Sequence, residues 1–312
     1  MNLKAVILYI LIVMFSLHNP FYSQDLPDVS SGKIERLKNF ESKYVTDRNV
    51  DIWLPDNYSK EKKYAVLYMH DGQMLFDANK TWNKQEWGVD EIVSKLIKEG
   101  RIKDCIVVGI WNISEERHSD YFPQKPFESL SKEVKDSLLN DAKRYEQGKL
   151  FSKGIQSDNY LKFIVQELKP YIDENYSVYT DKSSTFVAGS SMGGLISMYA
   201  VCEYPEIFGG AACLSTHWIG TFTDKNNPIP DAFFNYMEEN LPDPKDHVLY
   251  FDYGTETLDA LYEPFQLKAD EIIKSKGYDN SRFLSMKFEG HDHSENAWRN
   301  RFKIPLTVLL RK

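Results

Sequence analysis

Residues 187–194 read "VAGSSMGG". They fit G-x-S-x-G as Gly189-Ser190-Ser191-Met192-Gly193. Gly and Ser are common residues and ordinary loops carry the same pattern, so the flanking sequence has to decide its meaning. Upstream, "STFVAG" (184–189) is a short, near-continuously apolar run of strand character. Downstream, "MGGLISMYAVCEYPE" opens a helical pattern with apolar Leu195, Ile196, Tyr199 and Ala200. Ser191 therefore falls at a strand-to-helix turn, the place a nucleophile elbow gives its serine. Strand and helix pass close in such a turn, so the residues two positions either side must be tiny. Gly189 and Gly193 meet that need, and Gly194 lets the helix pack on the sheet. The helix N-terminus also aims N–H groups and a positive partial charge at the same spot.

Working outward, the chain alternates strand-like and helix-like segments. Residues 49–55 ("NVDIWLP") place Val50, Ile52 and Leu54 on one face, as a half-buried strand near a sheet edge does. Residues 64–70, 105–111, 184–189, 210–215 and 248–254 are near-continuously apolar, the signature of strands covered on both faces; 283–288 reads as one more strand. Helical patterns cover 87–99, 158–175, 192–203, 261–276 and 295–310. This alternation predicts an α/β fold with a mostly parallel sheet, helices on both faces and right-handed crossovers. Its functional site gathers beyond the carboxyl ends of the strands. The charged, weakly periodic segment 115–154 reads as an inserted excursion over that end, either a cap or a solvated loop.

At the N-terminus, Lys4 precedes an apolar run over residues 5–17 and Ser23 offers a small residue for cleavage. The run is short for a membrane span and polar sequence follows it, which reads as a secretory signal peptide over 1–23. The expectation is a secreted or periplasmic protein, with no membrane association after cleavage. Residues 24–312 suit a single domain. The net charge of −8, without a basic cluster, argues against nucleic acid and anionic membranes as partners. Cys105, Cys202 and Cys213 each lie in an apolar stretch, without metal-ligand spacing, and read as buried thiols. No H-E-x-x-H, Walker loop or CxxC occurs, so neither a metal nor a cofactor is expected.

A serine nucleophile needs a base, and in this fold the chain order is serine, acid, histidine. Of the seven histidines, only His291 and His293 come late enough, in "FEGHDHSENAW" after the last strand. His217 comes too early for that order but is a candidate for lining the pocket, and His247 opens a strand at its wrong end. The acid belongs after "VLYFDYG", where Glu256 and Asp259 compete; Asp252 lies inside the strand.

The segments "LYMHDGQMLFD", "VAGSSMGGLIS", "YFDYGTETLDALYEP" and "GHDHSENAWRNR" together resemble the putative-esterase family of α/β hydrolases. That family includes enterochelin-type siderophore esterases, feruloyl and acetylxylan esterases, and mycolyltransferases. The resemblance spans roughly residues 48–310 and implies an α/β-hydrolase fold. It implies the histidine five residues before a tryptophan, which selects His293 ahead of Trp298. It favours Asp259, two residues before "LYEP", although the family's usual Gly-to-acid spacing sits nearer Glu256. Its second oxyanion donor, after a "DG" ending the third strand, corresponds to the N–H of Gln73, working with that of Met192.

Aromatic residues crowd the segments expected at the site: Phe76, Trp82, Trp87, Trp111, Tyr121, Phe122 and Trp218. Part of this set must be core. Trp82 and Trp87, after the oxyanion loop, and Tyr121, in the excursion, are the candidates for substrate contact. The resulting expectation is a serine carboxylesterase acting on a small-molecule or saccharide ester, most simply acetyl or feruloyl groups on carbohydrate. A siderophore esterase, an acyltransferase and an inactive carbohydrate-binding relative are the alternatives.

Overall fold

The computed structural model describes residues 25–143, 149–222 and 226–312. The expected signal peptide and part of the excursion (144–148) lie outside them. The sheet has eight strands: β1 Lys33–Phe40, β2 Arg48–Leu54, β3 Ala65–His70, β4 Cys105–Ile110, β5 Thr185–Ser190, β6 Gly210–Leu214, β7 Val248–Gly254 and β8 Phe283–Phe288. Their order is β1-β2-β4-β3-β5-β6-β7-β8. β1 pairs antiparallel with β2 and β2 with β4, while every later pair is parallel. Order and direction follow from the connections. Hairpin-length links join β1 to β2, whereas each parallel neighbour is reached through a helical crossover.

The apolar runs become the central strands because they are buried on both faces. All residues of β3, β4, β5 and β6 are buried. In β2, Val50, Ile52 and Leu54 face one apolar layer and Trp53 the other. β2 is not at the sheet edge as its alternation suggested, because β1 covers it. β1, "KIERLKNF", has mostly half-exposed or exposed residues and no apolar alternation. It is an edge strand that its own residues do not announce.

Three helical segments differ in detail from expectation. Residues 158–175 fold as Ser157–Lys162, a π-helical stretch Phe163–Leu168 and Lys169–Asn175. The final pattern splits into Glu295–Arg301 and Lys303–Leu309, consistent with Pro305 lacking the N–H that a continuous helix needs there. The helix Ile229–Asn240 was not expected from the sequence pattern. The three cysteines are buried and unbridged.

The excursion is more than a solvated loop. It contains the helices Arg117–Tyr121, Gln124–Ser129 and Lys132–Asn140. Tyr121, Phe122, Phe127, Leu130, Leu138, Leu150 and Phe151 join the larger apolar core. A buried ion pair fastens it to the sheet: Arg48 Nη1, on β2, meets Asp120 Oδ2 at 2.9 Å, with both side chains fully buried. The excursion therefore packs as part of the domain and holds fixed positions at the carboxyl end of the strands.

Candidate active site

Ser191 stands between β5 and the helix Met192–Glu203, with φ 59° and ψ −122°, a left-hand-side conformation for a residue that is not glycine. Such backbone persists only where the surroundings enforce it. Here the Ser191 N–H donates to the Leu214 carbonyl (2.9 Å), and its own carbonyl accepts from Gly194 N (3.0 Å) and His217 N (3.2 Å). The turn is so tight that a Cβ on Gly189 would sit 2.8 Å from the Gly193 carbonyl carbon. Met192 opens the helix, so its N–H has no intrahelical acceptor.

His293 follows β8. Its Nδ1 meets Asp259 Oδ1 at 2.5 Å. Asp259 lies in the short 3₁₀ turn Thr257–Leu261 after β7 and is fully buried, whereas Glu256, before that turn, is exposed. The other Asp259 oxygen accepts from Ser215 Oγ (2.5 Å) and from Gly254 N (2.6 Å). Ser215 Oγ in turn accepts from Trp298 Nε1 (3.0 Å) and Arg301 Nη2 (2.7 Å). Trp298 thus reaches the acid through Ser215 and packs edge-on against the His293 ring, with centroids 5.1 Å apart. His291 takes a different part. Its carbonyl accepts from Thr255 N (2.9 Å) and Glu256 N (3.0 Å), pinning the loop that carries the acid.

Ser191 and His293 line one cleft of about 460 Å³, together with Asp71, Gln73, Trp82, Trp87, Asn112, Arg117, Glu295 and Trp298. The Tyr262 hydroxyl meets His217 Nδ1 at 2.6 Å. Gln73 sits in the single 3₁₀ turn Gly72–Met74 at the end of β3. The turn's own bond runs from Met74 N to the Asp71 carbonyl (2.9 Å), which leaves the Gln73 N–H outside it.

The expected substrate contacts separate. Trp82 is 75% exposed and bridges this cleft to a second cavity of about 330 Å³ that Phe76 and Trp111 also line. Trp87 touches the cleft but is 3% exposed, packed on Trp298 and Phe302. Tyr121 does not reach the cleft surface. It is fully buried against His70 and Tyr160, and its hydroxyl accepts from Asp71 N (3.3 Å). Its ring is worth more to the core than to solvent, so its site role is indirect. Phe122 and Trp218 are likewise core. His217 is buried beneath the cleft. Sequence reasoning missed Asp71, Asn112, Arg117, Ser215, Tyr262 and Arg301, whose side-chain hydrogen-bond partners lie 39 to 86 residues away in the chain; only "HDGQ" and "NAWRNR" offered a local signal.

With an eight-stranded, mostly parallel sheet and a serine on a strained turn beyond β5, the chain has the α/β-hydrolase fold. Residues 42–304 match the family described as "Putative esterase", and the chain belongs to that family. It is similar to the endo-1,4-beta-xylanase/feruloyl esterase of Xylanibacter ruminicola, 26% identical over 286 residues, which are 87% of this chain and 30% of that protein. It is also similar to the uncharacterized protein YbbA of Bacillus subtilis, 28% identical over 174 residues, 55% of this chain and 58% of the other. The chain therefore spans less than two thirds of either relative. Among solved structures, the CE1 ferulic acid esterase AmCE1/Fae1A of Anaeromyces mucronatus superposes with a TM-score of 0.60 at 19% identity, covering 94% of this chain and 95% of that one. The enterochelin esterase of Shigella flexneri gives 0.57 at 16%, covering 91% and 59%. At these identities the likeness is one of fold.

Burial sets the acid–base behaviour around the cleft. It pushes the His70 and His217 imidazoles down to about 3. It pushes the Asp252 carboxyl up to about 6, against the pull of Arg301. A depressed histidine contributes stability that is present above its unfolded pKa of ~6.5 and is lost as pH falls towards the folded value. Asp252 acts in the opposite sense, since its folded form holds the proton more tightly. At pH 4.5 the two histidines therefore weigh against the folded state, and Asp252 offsets part of that. The two depressed imidazoles predict a lower Tm at pH 4.5 than at pH 7 by calorimetry. His217→Asn should remove about half of the histidine contribution. A Tm that does not fall between these pH values would refute this assignment.

Proposed function

We propose that this protein is a serine carboxylesterase. One observation carries the reading: His293 Nδ1 is locked to the buried Asp259 carboxylate at 2.5 Å, and the same imidazole shares a cleft with Ser191 on its strained turn. In the reaction, Ser191 Oγ attacks the ester carbonyl while His293 Nε2 takes its proton. Asp259 holds the tautomer that leaves Nε2 free to accept. The N–H groups of Met192 and Gln73 receive the developing oxyanion, each worth roughly 3 kcal/mol in the transition state. His293 then protonates the departing alcohol, and water, activated by the same base, releases the acid from the acyl-serine.

Acyl groups on carbohydrate are the proposed substrate class, acetyl or feruloyl. Three observations support it. The exposed Trp82 offers a face for a sugar or phenolic ring, and the second cavity beside it, with Trp111 and Phe76, extends the cleft beyond a simple ester. The relative from Xylanibacter ruminicola carries the words feruloyl esterase in its name, and a solved neighbour is named a ferulic acid esterase in complex with ferulic acid. The apolar run at residues 5–17 supports an extracytoplasmic substrate.

Ser191→Ala should abolish hydrolysis of p-nitrophenyl acetate with Tm near wild type; turnover within tenfold of wild type would rule out the nucleophile. His293→Ala should be equally inactive, and His291→Ala far less affected. Asp259→Asn should lose about 10⁴ in kcat, because the imidazole is then held in the wrong tautomer. Glu256→Gln should stay near wild type, and an inactive Glu256→Gln beside an active Asp259→Asn would exchange their roles. On a panel of methyl ferulate, acetylated xylan and a catecholate siderophore ester, Trp82→Ala should raise KM for the carbohydrate ester by more than for p-nitrophenyl acetate. Equal loss on both would count against Trp82 as a substrate platform.

A further inference from the structure

The loop that carries the Gln73 N–H begins at Asp71, which has φ 58° and ψ 44°. A left-handed residue other than glycine costs roughly 1–2 kcal/mol. Glycine would relieve that cost, so the carboxylate must supply something a glycine lacks. It makes three short bonds. Asp71 Oδ1 accepts from Arg117 Nε at 2.8 Å and from Asn112 Nδ2 at 2.6 Å, and Asp71 Oδ2 accepts from Arg117 Nη2 at 2.7 Å. This is a two-point fork, the geometry in which arginine fixes a carboxylate in orientation as well as distance. Burial alone would raise the Asp71 carboxyl, but the Arg117 charge and these bonds outweigh it and hold it below the usual carboxylate range. The pair is therefore ionised and rigid.

The rest of the loop leaves little freedom. A Cβ on Gly72 would lie 2.4 Å from the Gly109 carbonyl carbon, so the loop is pressed onto β4 from below. Gln73 is tied to Asn112 twice, its Oε1 accepting from Asn112 N at 3.1 Å and its Nε2 donating to the Asn112 carbonyl at 3.5 Å. Both residues flanking Gly72 are thus clamped to segment 112–117, which follows β4. Arg117 itself is mostly buried, stacked over the Tyr121 ring at 5.2 Å, and Tyr121 reaches back to Asp71 N.

We propose that Arg117 is a positioning residue for the oxyanion hole: its fork on Asp71 fixes the left-handed turn and so the direction of the Gln73 N–H. The excursion beyond β4 then belongs to the catalytic apparatus, because it delivers the guanidinium that preorganises a donor it does not itself carry. Catalysis gains because a donor already aimed at the oxyanion needs no reorganisation at the moment of reaction. The inference rests on the esterase reading above. It predicts a loss confined to transition-state stabilisation, as follows when an interaction is realised only there.

The test compares Arg117→Ala and Arg117→Lys with wild type on p-nitrophenyl acetate, together with the affinity of a trifluoromethyl ketone that forms a tetrahedral adduct on serine. Arg117→Ala should lower kcat by about 10²-fold, with KM changed by less than about threefold. Affinity for the ketone should fall by the same factor as kcat. Arg117→Lys keeps the charge but not the fork and should recover only part of the loss. Added guanidinium at non-denaturing concentration should restore activity to Arg117→Ala alone. A near-wild-type kcat and ketone affinity in a folded Arg117→Lys and Arg117→Ala would overturn the proposal. So would a change confined to KM, which would make Arg117 a substrate contact. If Arg117→Ala does not fold, Arg117→Lys decides in the same way. A wild-type protein that hydrolyses no ester and takes no phosphonate on Ser191 would overturn the esterase reading itself, and this inference with it.

Discussion

The carboxylate of Asp259 is the point through which the carboxyl end of the sheet is tied together. It accepts from the loop after β8 through His293, from the loop after β6 through Ser215, and from the end of β7 through Gly254. Ser215 extends the bond to Trp298 and Arg301 on the helix Glu295–Arg301. A buried carboxylate without such partners would be strongly unfavourable, and removing one partner leaves an unsatisfied charge in a low-dielectric site. The same network therefore secures the loops and orients the imidazole. Arg301 stands behind it and balances Asp252 as well, at 2.9 Å, so two buried acids share one guanidinium.

Around that network, backbone strain appears where a polar atom has to be aimed. Ser191 and Asp71 both hold positive φ without being glycine, and both lie at the ends of neighbouring parallel strands, β5 and β3. One presents a hydroxyl, the other opens the turn that carries Gln73 at the cleft wall. Neither conformation would survive alone. Ser191 is held by backbone bonds to Leu214, Gly194 and His217, and Asp71 by the Arg117 fork and the Tyr121 hydroxyl. Strain at a functional site is stored by the packed surroundings rather than by the residue itself.

The excursion between β4 and the π-helical stretch changes the picture of a plain crossover sheet. Its aromatic side chains complete the larger core, and its Arg48–Asp120 pair is fully buried. Removing one partner of such a pair would leave an uncompensated charge, which makes the pair a device of placement more than of net stability. Placement is what the cleft needs, since Arg117 lies three residues before Asp120 on the same helix. Trp82 stands on the other wall, exposed, between two cavities.

By itself the sequence determined the central strands and the elbow. Apolar runs such as "YAVLYMH" and "CIVVGIW" can only be strands covered on both faces, and "STFVAGSSMGG" carries its geometry in its glycines, because only tiny residues let strand and helix pass so closely. The edge strand "KIERLKNF" stayed hidden, since a half-exposed strand has little apolar burial to reveal it. The histidine was narrowed to a loop by chain order, and between His291 and His293 only the spacing to Trp298 spoke. What tertiary structure decided was partnership. That Asp259 and not Glu256 meets the imidazole depends on the 3₁₀ turn burying one carboxylate and exposing the other. That Tyr121 is core and Arg117 faces the cleft depends on how a short helix sits on the sheet. Local pattern encodes burial and turn geometry; hydrogen bonds between residues far apart in the chain exist only once the fold has brought their donors and acceptors together.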